Sequence, residues 1–341
     1  LRDMQFVMRD LLNIEKHYQS LPDCEEVNQD LIDAILGEAS KFSEEVVAPL
    51  NAVGDQEGCQ MLDNGEVKTP AGFKEAYQQY VDGGWPALDQ PARYGGQDLP
   101  MSIGTPIREM NGTANWSWAM YPGLSHGAME TIDEHGSERQ KAIFMEPLVS
   151  GRWTGTMCLT EAHSGTDLGL LRCKAEQGAD NAYRITGSKM FVSSGEHDLA
   201  ENIVHIVLAR LPDSPPGTKG ISLFIVPKFI PNEDGSIGER NNVSCGALEH
   251  KMGIHGNSTC LLNFDGATGY LVGEENKGLS YMFTFMNFAR LGTGLQGLAH
   301  SELAFQNSLA YTRDRLQMRS LTGPKNLGGP ADPIIVHPDV R

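Results

Sequence analysis

Closely spaced cysteines are missing from this sequence. Its six cysteines, at 24, 59, 158, 173, 245 and 260, form no Cys-x-x-Cys pair and match no His pair at zinc spacing. That excludes a zinc-site pattern and gives no sign of a disulfide framework, and a reducing, cytoplasmic setting fits best. Basic side chains are scarce too: 27 against 44 acidic, net −17, a balance that repels polyphosphate and argues against a nucleic-acid partner. No apolar run reaches roughly 18 residues and no basic-then-apolar leader opens the chain, so neither membrane spanning nor secretion is expected. An initiator Met is also lacking, and "PADPIIVHPDVR" stops without entering a closing element. The chain is expected to be a fragment.

What is present is enough apolar residue, 40% of 341, to supply the cores of two or three domains. From about 25 to 50, Leu31, Ile35, Ala39, Phe42 and Val46 recur at three-to-four spacing up to Pro49, which predicts an amphipathic helix. Segments near 73–85, 101–120 and 136–150 carry the same signal, separated by Gly/Pro clusters, among which "YPGLSHG" reads as an inter-helix loop. After about 153 the texture turns to short β-favouring runs such as "RWTGTMCLT", "NIVHIVLAR" and "GISLFIVP", predicting an antiparallel sheet with a hairpin turn at Thr186–Ser188. From Asn276 a helical stripe returns through Leu279, Met282, Phe283, Met286, Ala289 and Arg290. The expected architecture is α+β: a helical domain over 1–152, a central antiparallel β domain over 153–275, and the start of a helical domain over 276–341.

Two stretches could carry chemistry. In "TMCLTEAHSGTDLG" (156–169), Leu159 and Thr160 stand at a strand end and the following turn offers backbone N–H groups and the Thr166 hydroxyl to an anion. In "KMFVSSGEHD", Phe191 and Ser193 leave one face of a strand, an aromatic wall beside a hydroxyl. Taken alone, the first also reads as an ordinary strand running into a surface turn, and the second as a core Phe191 with Ser193 capping the turn. No metal site is suggested.

Together with "HKMGIHGNSTCLLNFDGA", "LVGEENKGL" and "MNFARLGTGLQGLAH", these stretches resemble the acyl-CoA dehydrogenase family over nearly the whole chain. Cys158 to Asp167 follow the family signature, with Leu170 standing where a small residue is usual and Phe191 replacing the usual Trp. The resemblance implies FAD, contacted by Met157, Leu159, Thr160, Gly165, Thr166, Phe191 and Ser193, with Arg315 and Gln317 reaching the flavin of a partner subunit in a homodimer. It implies an acyl-CoA substrate near Tyr121, Leu124, Ser125, Thr166, Asn287 and Arg290, and electrons leaving to an electron-transferring flavoprotein. "NWSWAMYPGLSHGAMETIDEHG" and "DRLQMRSLTGPK" resemble the longer bacterial branch acting on 3-methylmercaptopropionyl-CoA, short and medium acyl chains remaining open. Some members carry the catalytic base just before the helical arginine, but that position is Ala289, so the base is expected beyond Arg341 and these 341 residues are expected to be inactive alone. Glu161 is given a structural part. Related activities that the scaffold allows are acyl-CoA oxidation by oxygen and DNA binding by a flavoprotein relative.

Overall fold

The computed structural model describes residues 1–179 and 181–341. The principal helices of the first part are α1 (Gln29–Phe42), α2 (Phe73–Asp82), α3 (Met101–Ala114), α4 (Trp116–His135) and α5 (Glu138–Val149). Asn28 caps α1 by accepting the Leu31 N–H at 2.9 Å, and a π-helical turn over Ser43–Val47 extends it. The buried series is Ile32, Leu36, Ala39, Ser43 and Val47, mostly one position after the predicted stripe. Ser43 disguised that face in the sequence, because its hydroxyl enters the interior by donating to Asn111 Oδ1 at 2.8 Å.

The predicted "YPGLSHG" loop is instead the middle of α4, which runs 20 residues through Pro122. The Asn115 side chain caps it, and Trp118, Tyr121, Ser125, Ala128, Met129 and Ile132 bury one face at helical spacing. That buried stripe outweighs the hydrogen bond Pro122 removes.

Among the described residues the main sheet contains seven strands. They are β1 (Trp153–Cys158), β2 (Lys174–Gln177), β3 (Tyr183–Ser193), β4 (Asn202–Ala209), β5 (Ser222–Pro227), β6 (Val243–Leu248) and β7 (Thr259–Val272). The order is β1-β4-β5-β7-β3-β2, with β6 also paired to β7, and every pairing is antiparallel except β1 with β4. The hairpin predicted at Thr186–Ser188 does not form: these residues lie mid-strand, opposite Asp265, Phe264 and Asn263 of β7. Gly187 marks a close approach, not a turn. At φ 147°, a Cβ there would meet Cys173 Cα at 3.1 Å.

The sheet curls until the two ends of its path meet. Ala175 N–H donates to Arg210 O, Arg210 N–H to Cys173 O and Met190 N–H to Thr160 O, each at 2.8 Å. This closure brings the exit of β1 beside the end of β3. A single core then joins the sheet to α4, α5 and the last helix, α6 (Gly278–Asp314), through residues such as Ile132, Phe144, Ile206, Phe224, Met282 and Phe285. Gly127 admits the Phe285 ring, since a Cβ there would lie 2.4 Å from it. On α6 the inward positions are Met282 and Phe285, whereas Phe283 and Arg290, placed on the buried stripe by the sequence, face solvent. Among the described residues no helix is long and apolar enough to cross a membrane.

Candidate active site

β1 is buried except at the half-buried Met157, and Thr154 and Thr156 hold the imidazoles of His197 (2.9 Å) and His205 (2.7 Å). At its exit, Leu159 and Thr160 become half-buried and the chain turns tightly, Glu161 and Ser164 exchanging both backbone hydrogen bonds (2.8 and 3.0 Å). The Glu161 carboxylate accepts from Arg172 N–H (2.8 Å), Cys173 N–H (2.9 Å) and the fully buried Lys189 ammonium (2.9 Å). Lys189 also donates to Leu159 O at 2.9 Å. Burial raises the Glu161 pKa, but Lys189 and the two N–H groups outweigh it, and the net shift is downward. Glu161 is thus an ionised anchor for the turn, in keeping with a structural part. Beyond it, Gly165, Thr166 and Asp167 are exposed, Asp167 Oδ1 accepting Gly169 N–H at 3.0 Å.

The end of β3 is irregular. Between Lys189 and Val192 the register against β7 slips, so that Met190 and Phe191 together oppose Leu261. Phe191 takes φ 55° and is 58% exposed, while Lys189 and Val192 both stay buried. Without the bulge, alternation would turn Phe191 toward the Lys189 side. Ser193 follows, half-buried, and Ser194 is again left-handed at φ 56°. Among the described residues the hydroxyls of Thr160, Thr166 and Ser193 make no side-chain hydrogen bond, unlike the engaged hydroxyl of Ser194 (3.0 Å from Asn257 Nδ2).

A cavity of about 590 Å³ lies among α3, α4 and α6, walled by Leu124, Ser125, Met129, Phe285 and Phe288. Its polar corner is Asp89, Arg108 and His126: Arg108 Nη1 lies 2.9 Å from Asp89, and the His126 ring stacks on Phe288 at 4.3 Å between centroids. Gln90 Nε2 is 3.2 Å from His126 Nδ1, and burial pushes this histidine down to about 4, leaving it neutral near pH 7.

The predicted substrate residues part company here. Leu124 and Ser125 line the cavity, although Ser125 Oγ is taken up by Gly155 N–H (3.0 Å) and Tyr121 O (3.2 Å). Tyr121 is outside the lining and fully buried, its hydroxyl donating to Gly256 O (3.1 Å) and accepting Ser258 N–H (3.0 Å). Asn287 and Arg290 sit on the exposed side of α6, linked at 3.5 Å, with Arg290 over the Phe283 ring; among the described residues Arg290 has no ion pair. Thr160, Phe191 and Ser193 do not line the cavity; Ser125 connects it to β1. Arg315 and Gln317 are exposed just past α6, on a segment folded back by Ile334 N–H to Arg315 O (2.8 Å) and Gln317 N–H to Asp332 O (2.9 Å).

Two family models match this chain: the acyl-CoA dehydrogenase N-terminal domain over residues 30–152 and the acyl-CoA dehydrogenase middle domain over 156–267. The chain belongs to the acyl-CoA dehydrogenase family. It is 45% identical to a 3-methylmercaptopropionyl-CoA dehydrogenase of Ruegeria pomeroyi over 99% of its own length and 58% of that relative's. Among solved structures it resembles butyryl-CoA dehydrogenase of Megasphaera elsdenii (26% identity, TM-score 0.72, covering 91% of this chain and 73% of the other). It also shares the fold of an acyl-CoA dehydrogenase complexed with FAD from Bacillus anthracis (24% identity, TM-score 0.72, 93% and 48% covered).

Sequence reasoning passed over several residues that build this candidate site. Lys189 is one, although a lysine among strand residues of the buried phase is a signal. Arg210 is another: its guanidinium holds Leu171 O, Gly169 O and Gly217 O (2.8, 2.8 and 2.6 Å), pinning the loop after the signature. The Asp89–Arg108–His126 corner has no sequence signal, since its members come together only through packing.

Proposed function

We propose that the protein is an FAD-dependent acyl-CoA dehydrogenase that removes the α and β hydrogens of an acyl-CoA thioester to give the trans-2-enoyl-CoA. Phe191 carries this reading: a bulky residue held at φ 55° on a bulge, more than half exposed, beside the unengaged hydroxyls of Ser193 and Thr160. Left-handed backbone at a bulky residue is strained, and such strain clusters at functional sites. An aromatic shelf with hydroxyl donors suits a flat heterocycle whose edge bears acceptors.

These residues fit FAD. Met157, Leu159 and Thr160 would hold the pyrimidine edge, Gly165 and Thr166 the pyrophosphate, Phe191 the ring and Ser193 its N5, as in the family the chain belongs to. Bound there, FAD supplies the acceptor for the β-hydrogen as hydride. The chain's own contribution is aim: Thr160 and Ser193 donate hydrogen bonds, Phe191 keeps water from one face, and the cavity beside Leu124, Ser125 and His126 receives the acyl chain. Asn287 and Arg290 are left for the polar part of the acyl-CoA. Of the three carboxylates named at the site, Glu161 is held by Lys189, Asp89 by Arg108, and Asp167 is exposed and caps its own turn through Gly169 N–H, so we assign none of them the α-proton. Ala289 offers none, and we place the base outside these 341 residues.

We assign the cavity to a 3-methylmercaptopropionyl or other short or medium acyl group, and a second subunit's Arg315 and Gln317 to completing the flavin site in a homodimer. Electrons pass to an electron-transferring flavoprotein in preference to oxygen. Anaerobic mixing of the intact flavin-loaded protein with 3-methylmercaptopropionyl-CoA or butyryl-CoA is expected to bleach the visible flavin band, with slow recolouring in air. No bleaching by any acyl-CoA contradicts the dehydrogenase reading, and rapid recolouring in air points to an oxidase.

A further inference from the structure

Ser193 lies within a short stretch that is bent twice. Phe191 and Ser194 are both left-handed (φ 55° and 56°), and Gly195 N–H turns back to Val192 O at 3.2 Å. Left-handed backbone is uncommon and costly for serine, so contacts that hold position 194 there matter. The holder is Asn257, buried on the loop before β7. Its Oδ1 accepts the Ser194 N–H (3.2 Å), and its Nδ2 donates to Ser194 Oγ (3.0 Å) and to Ser117 O of α4 (3.3 Å).

Asn257 is itself braced on both sides. The Tyr121 hydroxyl accepts Ser258 N–H and donates to Gly256 O, and Lys251 Nζ donates to Asn257 O at 2.7 Å. One amide therefore ties α4, the 254–258 loop and the end of β3 together, one residue from Ser193. A side chain committed to both the N–H and the hydroxyl of a left-handed residue fixes that residue's backbone, and with it the direction of the side chain before it.

We infer that Asn257, braced by Tyr121, is a positioning residue: by holding Ser194 left-handed it aims the Ser193 hydroxyl at the flavin. The inference rests on the flavin reading given under Proposed function. It also gives Tyr121 a part, bracing in place of substrate contact, that agrees with its burial.

The test is FAD titration of the intact apoprotein, with limited proteolysis of the flavin-free form to report the 191–195 backbone. Asn257→Ala is expected to raise the FAD Kd by about tenfold and to speed cleavage near Ser193. Glycine takes φ > 0 without strain, so adding Ser194→Gly to Asn257→Ala is expected to recover affinity to within about twofold, a recovery that a general structural role for Asn257 does not predict. Should Asn257→Ala fail to fold, the Ser194 series decides. Ser194→Gly is then expected to bind FAD like wild type and Ser194→Val, β-branched, about tenfold more weakly. Wild-type affinity in Asn257→Ala, a loss that Ser194→Gly leaves unchanged, or equal binding across the Ser194 series overturns the inference while leaving the flavin reading intact. Wild-type protein that takes up no FAD overturns both.

Discussion

Phe191 stands at a position where an aromatic residue is costly twice over, in backbone strain and in exposure, and among the described residues the nearby Thr160 and Ser193 hydroxyls make no side-chain hydrogen bond. Thr160→Val and Ser193→Ala are expected to weaken FAD binding by about 2- to 12-fold each, the worth of one hydrogen bond, as read by flavin titration. Unchanged affinity in both contradicts the proposed cradle. Three histidines carry a second prediction. Burial first, then the nearby Lys228 ammonium, pushes His197 and His205 down to about 3, and burial pushes His126 to about 4. All three are neutral in the fold, whereas the unfolded chain protonates them near 6.5. The unfolded state therefore binds more protons below about pH 6.5, and stability falls as pH drops from there toward 4, by ~1.4 kcal/mol per pH unit for each histidine. Chemical denaturation at stepped pH checks this: His205→Asn is expected to flatten the slope, and an unchanged slope counts against it.

At the scale of elements, the site depends on the curled sheet bringing the β1 exit to the end of β3, and the Lys189–Glu161 pair is its buried fastener. Glu161→Gln is expected to lose about 3–5 kcal/mol in denaturation because it strands a buried ammonium, and the double change Lys189→Met with Glu161→Leu is expected to lose less. A loss under about 1 kcal/mol for Glu161→Gln contradicts the fastener. The same elements show what the sequence could and could not reveal. The Thr160 and Ser193 stretches could be picked out as candidates because signature residues are local in sequence. The β3 bulge was not, since the extra residue is defined only by its partner on β7. Gly187 and Pro122 were misread for a related reason: glycine and proline usually punctuate, but here tight strand packing and a buried helical face decide their setting.

For the whole molecule, the helix, sheet, helix order was legible from the change of period, but the facing of α6 was not. Its exposed Leu291, Leu298 and Phe305 and its solvent-facing Arg290 have no counterpart in a simple amphipathic stripe. Arg315 and Gln317 are exposed where α6 ends, and the homodimer reading gives them a function on the neighbouring subunit. Light scattering of the intact flavin-loaded protein is expected to give a dimer or a multiple of it, and Arg315→Ala to lower flavin retention. A flavin-loaded monomer contradicts that arrangement. The central claim is that the β1 exit and the end of β3 form one flavin cradle. A crystal structure of the intact protein with FAD tests it most directly: the account predicts the ring lying against Phe191 with Thr160 Oγ1 and Ser193 Oγ in hydrogen-bonding reach, and flavin bound elsewhere, or both hydroxyls turned away from it, contradicts the account.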